Sequence, residues 1–153
     1  IDILFNNAGI LISGLDNNET ALNTDEDSIV RTFNTNTLGV LRVTKFVEPL
    51  MKPGSRIINI SSGMGQLEDM QGGHTAYRLS KTALNALTVI LSKELAFKNI
   101  SVNTICPGWV QTDMGGPSAT LTVDKSTREI VKFSLKDKFP TGKYLRHGEV
   151  IPW

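Results

Sequence analysis

The sequence predicts an α/β fold in which parallel strands alternate with helices. Short apolar runs, each closed by Asn, Ser, Gly or Pro, recur along the chain. Between them lie long segments in which apolar residues return every three or four positions. Apolar runs without alternation suit strands buried on both faces of a parallel sheet. Strands that alternate with helices imply βαβ units with right-handed crossovers.

The first part of the chain predicts a strand, a loop and a long helix. Residues 1–5 are an apolar run that ends at a pair of asparagines, which is typical of a buried strand. Residues 10–23, rich in Asn, Gly and Ser, indicate a loop. Thr24 is a candidate helix cap, with Asp27 three residues on as in a capping box. The apolar face that follows predicts a helix over 25–47, which prolines then end.

The remainder of the chain repeats this alternation. The predicted elements are a strand at 56–61, a glycine-rich loop at 62–73, a helix at 75–97, a strand at 100–105, a helix at 123–135 and a last strand at 142–145. No internal repeat or linker divides the sequence, so we expect a single domain over residues 1–153.

Composition argues against several classes of partner. Sixteen Lys and Arg against 15 Asp and Glu give a net charge of +1, so nothing favours binding to nucleic acid or an anionic membrane. No apolar run approaches the ~20 residues of a membrane span. Two isolated histidines predict no metal site. The single Cys106, interpreted as a small packed hydrophobe, rules out an internal disulfide framework. We therefore expect a cytoplasmic protein.

One pair of side chains on the second long helix suggests chemistry. Tyr77 and Lys81 are separated by four residues and therefore share a helix face. A free phenol, with a pKa near 10, transfers protons poorly at neutral pH, and a nearby cation favours the phenolate. By itself the spacing is weak evidence, because an amphipathic surface pair is the more common reason for it.

Polar residues also follow the ends of three predicted strands. They are found at Asn6–Gly9, at Ser62 and at 107–113. Ligands in open α/β sheets bind beyond the carboxyl ends of the strands, so these segments share one rim with the second long helix. Asn36, inside the first helix, is mildly unfavourable there, which makes a polar role plausible. A serine at a strand end is also a common turn former or cap.

In combination these motifs resemble the short-chain dehydrogenase/reductase family, classical type. They occur in the family's order and span about residues 1–114. The matching pieces are Asn6-Asn7-Ala8-Gly9, Asn36 in Asn-Thr-Leu-Gly, Ser62 in Ile-Asn-Ile-Ser-Ser-Gly, Tyr77 and Lys81 in Tyr-x-x-x-Lys, and Pro107-Gly108 followed by Thr112. The resemblance implies a doubly wound, NAD(P)-binding Rossmann-type fold, of which this chain supplies the C-terminal strands 4, 5, 6 and 7.

The resemblance also implies a reaction and residue roles. A hydride passes between a nicotinamide cofactor and a carbonyl/alcohol pair. Tyr77 is the implied general acid/base, and Lys81 lowers its pKa and holds the nicotinamide ribose. Ser62 binds and orients the substrate oxygen, with Ser61 as the rival for this role. Asn36 holds a water in a proton relay to the lysine.

Further residues are implied to contact the cofactor together with Tyr77 and Lys81. They are Asn6 on the adenosine side, Ala8, Gly9, Pro107 and Gly108, and Val110 and Thr112 at the carboxamide. The cofactor is NADP or NAD, with NADPH slightly favoured by a carbonyl-reductase-like ending, Gly-Lys-Tyr-Leu…Ile-Pro-Trp. The implied partners are a small carbonyl or alcohol substrate and a second copy, in a homodimer or homotetramer formed through the two long helices.

One departure from the family leaves other interpretations open. The family's glycine-rich phosphate-binding turn has no counterpart in this sequence, so we expect the catalytic half of an N-terminally truncated domain. The alternative is a non-catalytic fragment or a remnant with a binding or scaffold role. An epimerase or dehydratase of the extended branch also carries Tyr-x-x-x-Lys, but Asn-Asn-Ala-Gly disfavours it.

Overall fold

The computed structural model describes residues 1–12 and 19–153, so part of the predicted loop at 10–23 lies outside the described residues. The strands found in the described ranges form one sheet in chain order. The first four run parallel and the last is antiparallel to its neighbour. They are β1 (Ile3–Asn6), β2 (Arg56–Ile60), β3 (Ser101–Cys106), β4 (Tyr144–Arg146) and β5 (Glu149–Ile151).

Helices follow the strands as the sequence predicts, with one interruption. Where a single helix is predicted over 25–47, one turn of π-helix at Asn34–Leu38 separates two α-helices. The α-helices are α1 (Glu26–Phe33), α2 (Gly39–Val47), α3 (Thr75–Glu94) and α4 (Val123–Ser134). Short 3₁₀ turns lie at Glu48–Leu50, Gly63–Gly65 and Ala96–Lys98.

The sheet is covered on both faces, which confirms the predicted α/β layering. On one face, Leu91 of α3 and Leu95, the residue that follows this helix, pack against Ile57 and Val102 of the central strands. On the other face, Phe133 of α4 packs in a second cluster, whose buried members also include Ile58, Ile105 and Leu145. Each such side chain removed from water contributes roughly 2 kcal/mol. The two clusters hold the carboxyl ends of β1, β2 and β3 in fixed relative positions.

The predicted helix cap lies one residue away from its observed position. Asp25, not Thr24, caps α1, because its carboxylate accepts the backbone N–H groups of Asp27 and Ser28 at 3.4 and 3.0 Å. The Thr24 hydroxyl instead donates to the carbonyl of Thr20 at 2.7 Å. The threonine belongs to the turn that precedes the helix.

The end of the chain forms a hairpin where the sequence predicts a single last strand at 142–145. Gly142 adopts a left-handed conformation with φ of 65° and lies in the turn before β4. After β4 the backbone turns at His147 and Gly148, whose φ angles are 52° and 80°. Two successive positive φ angles are the signature of the tight turns that join antiparallel strands. The strand β5 follows, and the sequence reading missed it.

Candidate active site

The structure brings Tyr77 and Lys81 together one turn apart near the start of α3. The Lys81 ammonium lies 5.6 Å from the centre of the Tyr77 ring. Both side chains are buried, with exposed fractions of 7% and 3%. The Lys81 Nζ donates a hydrogen bond of 2.9 Å to the carbonyl oxygen of Ile60, the last residue of β2. The amphipathic surface pair that the spacing also allowed is therefore wrong.

Burial controls the ionisation of both groups. It lowers the pKa of Lys81 from 10.5 to about 8, because the ammonium is removed from water. It also raises the pKa of Tyr77, and this effect exceeds the opposing influence of a hydrogen bond with the Ser62 side chain. The lowered tyrosine pKa that the family resemblance implies is not found in this arrangement. The Ser62 hydroxyl is the neighbour that opposes this rise in the Tyr77 pKa.

Ser62 is the serine that faces the tyrosine. It follows β2 and begins the 3₁₀ turn Gly63–Gly65, where its Oγ accepts the backbone N–H of Met64 at 3.2 Å. Ser61 is buried and directs its hydroxyl at the Lys81 carbonyl, 3.4 Å away on the α3 backbone. Of the two candidates, the structure brings Ser62 to the Tyr77 phenol.

Asn36 occupies the π-helical turn and joins two parts of the site. Its amide accepts the backbone N–H of Ile10 at 2.8 Å and donates to the carbonyl of the same residue at 2.9 Å. It also donates to the Ser80 hydroxyl at 3.0 Å, and Ser80 in turn donates to the Tyr77 carbonyl at 2.8 Å. π-Helical turns are frequent at functional sites. Here the turn directs a fully buried amide towards α3.

The Asn6–Gly9 segment reaches the same site through its glycine. A Cβ atom built on Gly9 would lie 3.3 Å from Lys81 Nζ and 3.4 Å from Asn36 Oδ1. Ala8 beside it is exposed. Asn6 points into the protein, where its amide donates to Asn59 Oδ1 at 2.9 Å and to Thr44 Oγ1 at 3.3 Å. Both amide protons of Asn6 therefore join β1 to β2 and α2.

The segment after β3 forms the third part of the rim. Gly108 has a left-handed φ of 81°, and the Pro107 carbonyl accepts the Ser126 hydroxyl at 2.8 Å. Val110 forms an isolated β-bridge with Leu121. The exposed Thr112 hydroxyl accepts the backbone N–H of Gly115 at 3.0 Å. These residues lie beyond the carboxyl end of β3, as the strand-end argument predicts.

Three further residues surround Ser62 that the sequence reading did not assign to the site. Tyr144 donates a hydrogen bond of 2.6 Å to the Ser62 carbonyl. The Cys106 Sγ accepts the backbone N–H of Gly63 at 3.1 Å. The Arg146 guanidinium lies over Gly63 and donates to Gln66 at 3.4 Å. The only sequence signal for these contacts is that Cys106, Tyr144 and Arg146 lie at or near predicted strand ends.

Two features are absent from the described residues. Within 1–12 and 19–153, no group of three or more His, Cys, Asp or Glu side chains is arranged to hold a metal ion. No helix in those same ranges combines the length and the hydropathy needed to cross a bilayer.

Comparisons with known proteins agree with this geometry. A family model described as short chain dehydrogenase matches residues 1–121. C-signal of Myxococcus xanthus is 38% identical over 159 residues, covering all of this chain and 93% of that protein. The carbonyl reductase Sniffer of D. melanogaster superposes with a TM-score of 0.88 at 35% identity over 99% of this chain. NADPH-bound carbonyl reductase from chicken fatty liver gives 0.85 at 31% identity over 100% of this chain. The chain spans 66% of each of these two solved structures.

Proposed function

The chain belongs to the short-chain dehydrogenase family, and we propose that it carries the catalytic residues of an NAD(P)-dependent oxidoreductase that interconverts a carbonyl and an alcohol. The observation that supports this proposal most strongly is the buried pair of Tyr77 and Lys81, one helical turn apart, with Ser62 near enough to the phenol to lower its pKa. The likeness to two carbonyl reductases favours the same reaction class.

The residues present fit the nicotinamide half of such a cofactor. The Lys81 ammonium has three N–H donors, of which Ile60 uses one among the described residues. Its other donors can reach ribose hydroxyl groups at the rim formed by Gly9 and the segment after β3. The half-buried Gly108 has the left-handed backbone that allows close approach of a ligand to the main chain. We assign Lys81 and Tyr77 to the ribose, and Val110 and Thr112 to the carboxamide.

The bound nicotinamide supplies the hydride, and the chain's own residues handle the substrate oxygen. In the direction of reduction, Ser62 donates a hydrogen bond to the carbonyl oxygen and orients it. Tyr77 then transfers its phenolic proton to that oxygen as negative charge develops there. The nearby Lys81 ammonium stabilises the phenolate that remains. In the direction of oxidation, the same phenolate accepts the alcohol proton.

The remaining assignments are also proposals. NADPH is the favoured cofactor because the chicken carbonyl reductase, which matches all of this chain, is described as NADPH-bound. Ala8, Gly9 and Pro107 would border the cofactor through their position on the rim. Asn6 would contribute on the adenosine side through its backbone, since both of its amide protons are engaged within the fold. Asn36 would order the lysine and tyrosine through Ser80, in addition to its implied proton relay.

The reaction class can be tested by following a label. The protein expressed from its complete gene is incubated with aldehydes and ketones and with NADPH that carries deuterium at the transferable position. We expect an alcohol product that bears deuterium on the former carbonyl carbon. Absence of deuterium from every alcohol, although NADPH binds, would contradict the proposal.

A second candidate is a non-catalytic role for the 153-residue chain as it stands. The observation that favours it is the match to C-signal, which is named for a signal rather than a reaction and is covered to 93% by this chain. Calorimetric titration of this chain with NADPH and NADH separates the two candidates. Micromolar binding of either nucleotide argues against the second candidate, and no heat of binding argues for it.

A further inference from the structure

The peptide group between Ser62 and Gly63 is held at both of its polar atoms. Its carbonyl oxygen accepts the Tyr144 hydroxyl at 2.6 Å, and its N–H donates to the Cys106 sulfur at 3.1 Å. We call these two side chains, Tyr144 and Cys106, the peptide clamp. Because the C=O and N–H of a trans peptide point in opposite directions within its plane, rotation of this peptide would break both bonds together.

The clamp is built on rigid elements. Cys106 is the last residue of β3 and Tyr144 the first of β4, which pairs with β3 through Thr104 and Cys106. Both side chains are buried, and the Tyr144 ring stacks on Trp153 with centroids 5.6 Å apart. Burial also raises the pKa of Tyr144 well above its usual value, so the phenol keeps its proton. The donor to the Ser62 carbonyl therefore persists at every working pH.

The clamped peptide restrains the backbone that carries the Ser62 hydroxyl. Ser62 has an extended backbone with ψ of 147°, and the orientation of the following peptide defines that angle. Gly63 offers no side chain to restrain the loop, and glycine is the most permissive residue. A Cβ added at Gly63 would lie 2.5 Å from Arg146 Nη2, so the end of that flexible side chain would have to move aside. The restraint on Ser62 must therefore come from neighbouring side chains.

We propose that Tyr144 and Cys106 are positioning residues that hold the catalytic Ser62 in reach of the Tyr77 phenol and the substrate oxygen. This inference rests on the proposed function. Neither residue contacts the reacting atoms: Tyr144 acts on the serine carbonyl, and Cys106 acts on the amide that follows it. Catalytic groups need placement to within a fraction of an ångström, and a misplacement of about 1 Å costs on the order of 10²-fold in rate.

The test compares turnover with cofactor affinity in matched variants of the protein expressed from its complete gene. Tyr144→Phe removes only the hydroxyl and keeps the ring on Trp153. We expect kcat for carbonyl reduction to fall about tenfold, because one buried hydrogen bond is lost. The Kd for NADPH should change less than about twofold. A general structural defect would weaken both. Unchanged kcat, or an equal loss in kcat and NADPH affinity, would overturn the role of Tyr144.

Cys106 is tested by a loss and a rescue. Cys106→Ala removes the acceptor for the Gly63 N–H, and we expect a similar fall in kcat. Cys106→Ser restores an acceptor of nearly the same size, and we expect it to recover most of the lost turnover. If both variants lose activity equally, the lost hydrogen bond to the Gly63 N–H does not explain the fall in kcat. That result would overturn the positioning role of Cys106.

A double-mutant cycle decides whether the clamp acts through Ser62. In the residual turnover of Ser62→Ala, Tyr144→Phe should change kcat less than about twofold, because the serine to be positioned is gone. A further tenfold loss in that background overturns the inference. Failure of the proposed function gives a different result. The wild-type protein would then reduce no carbonyl compound, and both the proposed function and the positioning role of the clamp would be overturned. An active wild type with a fully active Tyr144→Phe overturns the inference alone.

Discussion

The Nζ of Lys81 donates a 2.9 Å hydrogen bond to the carbonyl oxygen of Ile60. This contact fixes the first turns of α3 to the end of β2, two residues before Ser62. It holds the ammonium in a nearly dry position, and the lysine's charge is therefore sensitive to pH close to neutrality.

The stability of the fold should depend on pH through Lys81. Because burial lowers its pKa from 10.5 to about 8, both folded and unfolded states carry the charge below pH 8. The cost of burying it is fully present there and disappears as pH rises from about 8 to 10.5. Relative to wild type, we expect Lys81→Met to be more stable at pH 7 than at pH 10.5, by an amount on the order of 3 kcal/mol. This advantage should shrink across that window.

Denaturant unfolding of wild type and Lys81→Met between pH 7 and 10.5 measures this. Lys93→Met is the matched control on the same helix, because Lys93 is exposed. Its difference from wild type should not vary with pH. A constant difference for Lys81→Met over the same range would contradict the buried-charge account.

Gly9→Ala tests the packing of the Asn6–Gly9 segment on the lysine. The new Cβ would lie 3.3 Å from Lys81 Nζ and 3.4 Å from Asn36 Oδ1, so both polar groups must shift by a few tenths of an ångström. A displacement of about 1 Å in a catalytic group costs on the order of 10²-fold in rate. For a shift of a few tenths of an ångström we therefore expect kcat for carbonyl reduction to fall several-fold. Gly72→Ala is the control, since a Cβ there meets nothing within 4 Å. Equal kcat in the two variants would show that the crowding is harmless.

Asn36→Ala should destabilise the fold as well as the site. The change removes three hydrogen bonds of a fully buried amide and leaves the Ile10 backbone groups without their partner. We expect a loss of about 2–3 kcal/mol in the free energy of unfolding. Asn34→Ala lies in the same π-helical turn on an exposed residue, and its effect should stay below about 1 kcal/mol. Similar losses for both variants would contradict the role given to Asn36.

The predicted pairing of the two long helices across a subunit interface can be tested on α2. Phe46 is 79% exposed there, and Leu79 and Ile90 on α3 are about half exposed. We expect the protein to form a dimer or tetramer that Phe46→Asp dissociates, because a carboxylate would be buried in the interface. Sedimentation of both proteins measures this, with Leu22→Asp, exposed outside the helices, as the control. A monomeric wild type would contradict the prediction.

The sequence predicts much of the candidate site because its motifs are local. Helical spacing predicts that Tyr77 and Lys81 share a face, and the end of an apolar strand predicts the position of Ser62. The proposed roles of all three residues come from the family resemblance. The π-helical turn is not predictable in this way, because Asn36 adopts it to reach Ile10 and Ser80, which are 26 and 44 residues away. The same limit hides the contact between Tyr144 and Ser62, separated by 82 residues.

Ionisation is harder to predict than position. The spacing of Tyr77 and Lys81 suggests a lowered tyrosine pKa, but burial raises it. Burial depends on the whole fold, since neighbouring strands, the π-helical turn and the segment after Ser62 all exclude water from the pair. The short strand β5 was missed for a related reason: its turn uses a His-Gly pair, and histidine seldom adopts a positive φ.

The most direct test of the central claim is the turnover of Tyr77→Phe in the protein expressed from its complete gene. The substitution removes one hydroxyl group and leaves the ring beside Lys81. Carbonyl reduction is measured with NADPH, and NADPH affinity is measured in parallel by calorimetry. We expect kcat to fall at least about 10²-fold, the contribution typical of a general acid, while NADPH binding is retained. Wild-type turnover by Tyr77→Phe would contradict the account.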